Sequence, residues 1–515
     1  MTHTVPAAFA ESVAAHPNRT AVIGEDGVAL SYAELDRLRL RAARALIALG
    51  IQKGDRIAIW APNDVEWIIA GLAIHTVGAV LVPVNTRMKG AEAAYLLEKS
   101  KAKLLFSIGE FLGHYMPALL EGHRPATLQH IVVIGQARAE DLSWAAFLQK
   151  CETCDNDDAL AMAAAVQPDD VMDILFTSGT TGHPKGVVTL HEQNLRTIRA
   201  WSKAVGLTGD DRYLIVNPFF HSFGYKVGWV GALIAGCTVL PHAVFDAKAI
   251  LKRIEHDRVS VIPGPPTLFI SILNDPNLAS TNLSSLRATI TGAAAIAPSL
   301  IERIRNELGF KVVLTGYGMT ETCGVISLCD ASDSAETIAL TSGKAIAGIE
   351  MRCVDERNQP VAVGESGEIV VRGYNVMQGY LDNPEATAHA IDAEGWLHTG
   401  DVGNLDARGY VRITDRLKDM YISGGFNVYP AEIERTMAAH PAIAQVAIIG
   451  IPDERMGEVG KACVVLRDGH SLNETELTAW CRDNMANYKV PRRFAFMPAL
   501  PLNPSGKVMK FKLRD

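Results

Sequence analysis

Apolar positions recur at helical and strand spacings in an ordered alternation along most of the chain. Ser31 and Glu34 form the S-x-x-E pattern of a capping box, and the stripe Leu35, Leu38, Ala42, Ala45, Leu46 and Leu49 predicts a helix that stops at Gly50. The strand-like run RIAIW, Arg56 to Trp60, follows. Helix and strand then alternate to about Ile134, the pattern of a parallel sheet covered on both faces. Residues 135 to 167 are Ala-rich, acidic and irregular, and read as a connection. The alternation resumes with strand YLIVNPFF, helix Val227 to Ala235, helix Ala247 to Asp257 and strand VSVIPG. Helix Pro266 to Asn274, strand RATITG, helix Pro298 to Leu308 and strand KVVLTGYG continue it. Strands that end in Gly or Pro gather functional groups along one edge of such a sheet. From about Thr341, short runs such as GEIVVRG and GYVRITD predict a small β unit. Past Asp415 the tail reads as compact α+β, with a helix from Ala431 to Ala439, strands QVAIIGIP and KACVVLR, a helix from Glu474 to Met485 and a polar end.

Two uncharged runs, Trp67 to Val84 and Val227 to Phe245, each read as a buried helix, a glycine and a buried strand. Interior His75, Gly78, Gly236 and Pro241 argue against a membrane span. The shared pattern points to two α/β subdomains side by side.

With 515 residues the chain needs more than one core. A net charge of −8 repels nucleic acid and acidic membranes, so an anionic substrate must be drawn in by local positive charge. No secretory signal opens the chain, since Met1 to Ala15 lacks a basic start and carries Glu11; with scattered cysteines, this predicts a cytoplasmic protein. Cys151 and Cys154 form one C-x-x-C, but neither zinc-ligand spacing nor a redox βαβ context accompanies them.

The chemistry centres on DILFTSGTTGHPKGVV, Asp173 to Val188. Between two apolar runs, Thr177, Ser178, Gly179, Thr180, Thr181, Gly182 and Lys185 supply four hydroxyls, small residues for close backbone approach and a point charge, as a polyphosphate requires. The two glycines stand three apart and no Lys-Ser or Lys-Thr follows, so this is not a Walker loop. By composition alone a flexible Gly/Ser/Thr surface turn is an equally good reading.

The order TSGTTGHPKG resembles the phosphate-loop motif of the adenylate-forming superfamily, which holds acyl-CoA synthetases, luciferases and peptide-synthetase adenylation domains. Further segments match that superfamily in order along nearly the whole chain. Gly316-Tyr317-Gly318-Met319-Thr320-Glu321-Thr322 resembles its second nucleotide motif, which implies Tyr317 on adenine, Thr320 at the AMP phosphate and Glu321 holding Mg²⁺. Gly395 to Asp401, GWLHTGD, resembles the ribose motif, with Asp401 accepting both hydroxyls and Arg416 on the same nucleotide. Gly292, Ala293 and Ala294 resemble the segment along the adenine and acyl group, although GAAA alone suits helix packing equally.

Pro504-Ser505-Gly506-Lys507 resembles the motif of the catalytic lysine, which implies that Lys507 bridges carboxylate and α-phosphate. The resemblance further implies a hinge at Lys418, a pantetheine passage at Gly424 and Gly425, a gating role for His221 in PFFHSFG, and a CoA phosphate contact at Arg87. The excess of Lys and Arg in residues 482 to 515 could steer ATP and CoA, although a solvated face is the default.

The implied fold is α/β. A large N-terminal domain, residues 1 to 415, would hold two α/β subdomains with parallel-rich sheets and a small distorted β-barrel at about 341 to 415. A hinge at 416 to 418 and a mobile small α+β C-terminal domain, 419 to 515, would follow. The implied reaction joins a carboxylic acid to coenzyme A through an acyl-adenylate, with ATP and CoA as co-substrates and Mg²⁺ as cofactor. The expected partners are these small molecules, with no nucleic acid, no membrane span and a homodimer as the candidate assembly.

Amino-acid adenylation domains place an aspartate near the 220 segment. Here Phe219, Phe220, His221, Ser222 and Phe223 stand there, with no acid until Asp246, which favours an acid without an α-amino group. The chain ends soon after Lys507, with no fused carrier domain and no peroxisomal tail, so a free CoA thiol is the simplest acceptor. NPFFHSFGYK, LPHAVFD, VIPGPPTLF and GYGMTETCGV resemble bacterial ligases for the ring-fragment propanoates of steroid breakdown; a fatty acid and then an aryl acid are the next readings. Loading of a separate carrier protein and a nucleotide-binding scaffold without turnover are the alternatives of other classes, the second disfavoured because every motif position is occupied.

Lys507→Ala is expected to lower acyl-adenylate formation by about two to three orders of magnitude, the cost of one preorganised charge-stabilising donor. Thioester formation from supplied acyl-AMP should suffer much less, and equal loss in both half-reactions would contradict the role. Gly425→Leu should do the reverse.

Overall fold

Ser31 Oγ accepts from the Glu34 N–H at 3.2 Å and Glu34 Oε2 accepts from the Ser31 N–H at 2.8 Å, so the capping box forms at the head of helix Tyr32–Ala48. The computed structural model describes residues 2–177, 184–292, 296–416, 419–423, 426–453, 456–485, 487, 489–502 and 508–514. Most elements of the alternating pattern stand where the hydrophobic periodicity puts them, including helix Val65–Thr76, Gly78 at φ +66° and strand Val80–Pro83 in the first uncharged run. Among the described residues no helix is long and apolar enough to cross a membrane.

The first sheet has eight strands, in the order Gly379–Tyr380, Lys185–Leu190, Val171–Thr177, Val80–Pro83, Arg56–Trp60, Leu104–Ile108, His130–Ile134 and Leu142–Ser143. From Val171–Thr177 onward the pairs are parallel, whereas Lys185–Leu190 runs antiparallel to both its neighbours. The second sheet consists of two four-stranded runs. Segment 260–264 lies between strand Arg212–Ile215 of one and Ala288–Gly292 of the other: the Leu214 N–H donates to the Val261 carbonyl at 2.9 Å, and the Ile262 and Gly264 N–H groups donate to the carbonyls of Ala288 and Ile290 at 3.3 and 2.9 Å. VSVIPG thus joins the two runs, with its pairing interrupted at Pro263, which has no N–H to donate. Sheet membership also cuts across chain order, because Thr20–Ile23 pairs in parallel with Thr238–Pro241.

A four-stranded antiparallel sheet follows, with Ile349–Val354, Gly367–Gly373, Leu397–Leu405 and Val411–Arg416 in that order. Its ladder is a row among the described residues. The C-terminal unit has a sheet built on the long hairpin Ile443–Asp453 and Gly457–Leu466, with helices Pro430–Ala438 and Glu474–Asn484. The polar end adds strand Arg493–Phe496, parallel to Gly457–Leu466.

Residues 135 to 167 are not an irregular connection. Helix Trp144–Gln149 and helix Asn156–Ala165, the latter capped by Asp155 and Asp158, bury Phe147, Leu148 and Ala159. Arg44 holds the backbone between them, donating to the carbonyls of Cys151 and Cys154 at 2.8 Å each. Cys151 is buried and Cys154 half-buried, and both are free thiols. The second uncharged run also differs: the helical course begins at Ser222, and Tyr225–Val230 is a π-helix with Gly228 at ψ −110°.

Between the two sheets lies a cluster of fully buried rings. Trp67 meets Phe219 at 5.4 Å and Trp229 at 5.8 Å, both edge-on, and His75 Nε2 is 2.8 Å from the Tyr225 hydroxyl. His191 packs edge-on against His75 at 5.5 Å, and its Nδ1 accepts from the Val5 N–H at 3.3 Å.

Burial holds His75 well below its ordinary pKa, aided by His191 and the positive charge of Lys226, and burial with Lys53 nearby lowers His191 to about 4, against a partial offset from Asp170. Both imidazoles are therefore neutral in the folded chain and take up protons first on unfolding. The stability contribution of His191 is intact above about pH 6.5 and is lost as the pH falls towards 4, at up to about 1.4 kcal/mol per pH unit, and that of His75 has the same sign. Urea unfolding at stepped pH should show this slope, and His191→Asn should flatten it.

Candidate active site

Thr177 ends one strand and Lys185 begins the next, and the two are cross-strand partners at the stem of segment 178–183. The stem is tight, because a Cβ on Gly186 would meet Ile174 at 2.8 Å and Leu381 at 3.2 Å. Strand Gly379–Tyr380 lies alongside: the Leu381 N–H donates to the Gly186 carbonyl at 2.7 Å and the Gln378 N–H to that of Val188 at 2.9 Å. The Lys185 ammonium sits 5.0 Å from the centre of the Tyr380 ring.

Tyr380 ties this hairpin to the second motif. Its hydroxyl donates to Glu321 Oε1 at 2.9 Å, and the Met377 N–H donates to the Glu321 carbonyl at 2.8 Å. Burial, and then the charge of Glu321, hold the Tyr380 hydroxyl above its ordinary pKa, so it remains a donor at neutral pH. Glu321 is 6% exposed and sits in the one-turn 3₁₀ segment Thr320–Thr322, with Met319 and Thr320 half-buried beside it. Gly318 is obligatory here, because a Cβ would come within 2.2 Å of the Gly324 carbonyl oxygen. Gly292 and Gly316 are partners across parallel strands at the same sheet edge.

Tyr317 links that edge to the third motif, donating to Asp401 Oδ2 at 2.6 Å. Asp401 is 5% exposed, and its N–H donates to Thr399 Oγ1 at 3.1 Å. Glu368 shapes this strand: one oxygen accepts from the Gly400 N–H at 3.0 Å and the other lies 2.7 Å from His398 Nδ1. Across the antiparallel ladder Asp401 is the backbone partner of Arg416. Lys185, Glu321, Tyr317, Asp401 and the Arg416 backbone are therefore linked through two tyrosine hydroxyls, a ring contact and one strand register.

His221 is exposed, and its Nδ1 accepts from the Phe223 N–H at 3.3 Å, which in a neutral ring leaves the proton on Nε2. Its turn abuts the second motif, since a Cβ on Gly324 would lie 3.3 Å from Ser222 Oγ. Arg87 is exposed in the turn after strand Val80–Pro83, its N–H donating to Asn85 Oδ1 at 2.9 Å, and no described hydrogen bond or ion pair joins it to the cluster. Ser178, Gly179, Thr180, Thr181, Gly182, Ala293, Ala294, Lys418, Gly424, Gly425 and Lys507 lie outside the described residues.

Tyr380 and Glu368 escape sequence reasoning, since each acts on a partner 59 or about 30 residues away and neither sits in a matching motif. A groove of about 620 Å³ on the antiparallel sheet, lined by Met351, Arg352, Arg372 and Trp396 among others, contains none of the expected site residues. Among the described residues no group of three His, Cys, Asp or Glu could by itself hold a metal.

The sequence matches the family described as AMP-binding enzyme over residues 9–381 and the AMP-binding enzyme C-terminal domain over residues 432–507. It is 48% identical to the 7a-methyl-1,5-dioxo-octahydroindenyl propanoyl:CoA ligase of Rhodococcus jostii, over 99% of this chain and 98% of that protein. The ligase of the same name from Mycobacterium tuberculosis is also 48% identical, with the same shares covered. The crystal structure of an anthranilate CoA ligase in complex with anthranoyl-AMP superposes with a TM-score of 0.88 at 26% identity, over 99% of this chain and 96% of that one.

Tyr380→Phe leaves the buried Glu321 carboxylate one donor short. It should lower the unfolding free energy by about 1.5–3 kcal/mol, the range for a hydrogen bond to a charged group, as measured by urea unfolding at neutral pH.

Proposed function

The chain belongs to the AMP-binding enzyme family, and on that premise we propose that it is an ATP-dependent ligase joining a carboxylic acid to coenzyme A. In the first step a carboxylate oxygen attacks the α-phosphorus of ATP, the bond to pyrophosphate breaks, and acyl-AMP forms. In the second the CoA thiol gives up its proton and attacks the acyl carbon, and AMP leaves. The observation that carries this reading is the linkage of Lys185, Glu321 and Asp401 through Tyr380 and Tyr317 at one end of both sheets.

In this reading Thr177, segment 178–183 and Lys185 receive the β- and γ-phosphates, Tyr317 packs on adenine and Thr320 meets the α-phosphate. Asp401 and Arg416 take the ribose. Lys507 draws the two anions together, and water exclusion around them strengthens every such contact. Glu321 suits Mg²⁺, because a buried carboxylate with no further acidic or imidazole ligands grouped around it among the described residues fits an ion that keeps waters and phosphate oxygens for its remaining positions. When bound, that ion would neutralise phosphate charge. His221 borders the acyl side, Gly424 and Gly425 line the thiol path, and Arg87 contacts CoA phosphate. The same reading divides the chain into residues 1–415 and 419–515, turning about Lys418.

For the acid, the 48% identity to two ligases named for a propanoate on a fused two-ring dione favours that class of substrate. An aromatic acid is the second reading, favoured by the likeness to the anthranilate ligase.

Pyrophosphate and AMP release across a panel of carboxylic acids, with and without CoA, tests this. AMP formation that requires CoA and is fastest with the two-ring propanoate is the expected result. Turnover only with an acyl carrier protein would overturn the CoA assignment, and preference for benzoates or fatty acids would overturn the choice of acid.

A further inference from the structure

Lys226 and Asp173 form an ion pair with no exposure on either side, Nζ to Oδ1 at 3.1 Å. Thr189 Oγ1 accepts from Lys226 Nζ at 3.0 Å, donates to Asp173 Oδ1 at 2.7 Å and accepts from Asn194 Nδ2 at 3.0 Å. None of these groups is needed for the chemistry described above. A pair so deeply buried recovers little net stability, because desolvation of both ions offsets their attraction. Its geometry is nevertheless restrictive, since either charge left alone in that interior is strongly unfavourable.

The three segments that meet there are those of the active site. Asp173 and Thr189 are cross-strand partners in the hairpin whose two strands carry segment 178–183. Lys226 belongs to the π-helix Tyr225–Val230, which continues directly from the turn of His221 and Ser222. A π-turn in a helix is a local departure that often accompanies a functional site.

We propose that Lys226 and Asp173 are positioning residues that clamp the phosphate-segment hairpin against the helix begun by His221, fixing the distance between the nucleotide side and the acyl side of the site. The proposal rests on the ligase reading for the meaning of those two sides. Its geometric component stands apart from that reading, because the clamp should restrain both segments whatever the substrate.

The test uses the full-length chain with Lys226→Met and Asp173→Leu combined, which removes both charges and keeps apolar bulk, and Thr189→Val, which removes only the bridging hydroxyl. The double variant should keep its binding of ATP and of the acid, each titrated alone, while adenylation at saturation falls by about one to two orders of magnitude, the cost of a misplacement of about 1 Å. Thr189→Val should show a smaller fall of the same kind. Amide exchange should quicken in residues 171–177, 185–190 and 222–230 of both variants. A folded double variant with wild-type adenylation and unchanged exchange overturns the clamp. If the double variant does not fold, unchanged rate and exchange in Thr189→Val overturn it. A wild-type protein that adenylates no acid sinks the ligase reading instead, and the exchange measurement then decides the clamp by itself.

Discussion

A lysine and an aspartate shut away from water, Lys226 and Asp173, constrain everything packed around them. An ion in that setting must be met by its counter-ion and by hydrogen bonds, so the strands and helix that carry the two cannot slide without exposing an unpaired charge. Thr189 bonds to both ions, and Asn194 donates in turn to the Thr189 hydroxyl. The aromatic cluster of Trp67, Phe219 and Trp229 fills the adjoining space between the sheets. Packing of rings tolerates small shifts, whereas a hydrogen-bonded ion pair does not, so the polar contact sets the register that the apolar contacts then fill.

The same device recurs in weaker form at the site. Glu321 and Asp401 are almost wholly buried, and each carboxylate takes a hydrogen bond from a tyrosine of a distant element. A tyrosine hydroxyl is suited to this, being a neutral donor at the end of a rigid ring. Tyr380 also presents that ring to the Lys185 ammonium. On the strand next to that of Asp401, Glu368 has a comparable role, holding the Gly400 N–H and His398 on the stretch of strand just before Asp401. These contacts hold the acidic groups in place within the protein itself, which is the preorganisation that electrostatic catalysis depends on.

Ligation through an adenylate fits that arrangement, because the reaction brings together a carboxylate and a polyphosphate and needs fixed groups rather than groups that reorganise around them. The likeness to two-ring propanoate ligases extends along almost the entire chain, so it covers the large and small units together. The lack of an acid among residues 219–223 is in keeping with a substrate that carries no amine.

Motif order, the capping box at Ser31 and Glu34, the glycine junction at Gly78 and the alternating α/β pattern were legible in the residues, because each depends on neighbours a few positions away. Residues 135–167 misled, since alanines and acids give little periodicity; only the packed structure reveals that Phe147, Leu148 and Ala159 are buried. The π-turn at Tyr225–Val230 and the seat of Val261 between two strands likewise arise from partners on other elements. Tyr380 finds Glu321 across 59 positions, Tyr317 finds Asp401 across 84, and Lys226 reaches a strand far earlier in the chain. Short-range spacing thus determined which elements form and which motifs they carry. Which buried charge faces which partner was decided by tertiary structure alone, because the energy of such a contact depends on distance and solvent exclusion in space, and neither is encoded in the separation of two residues along the chain.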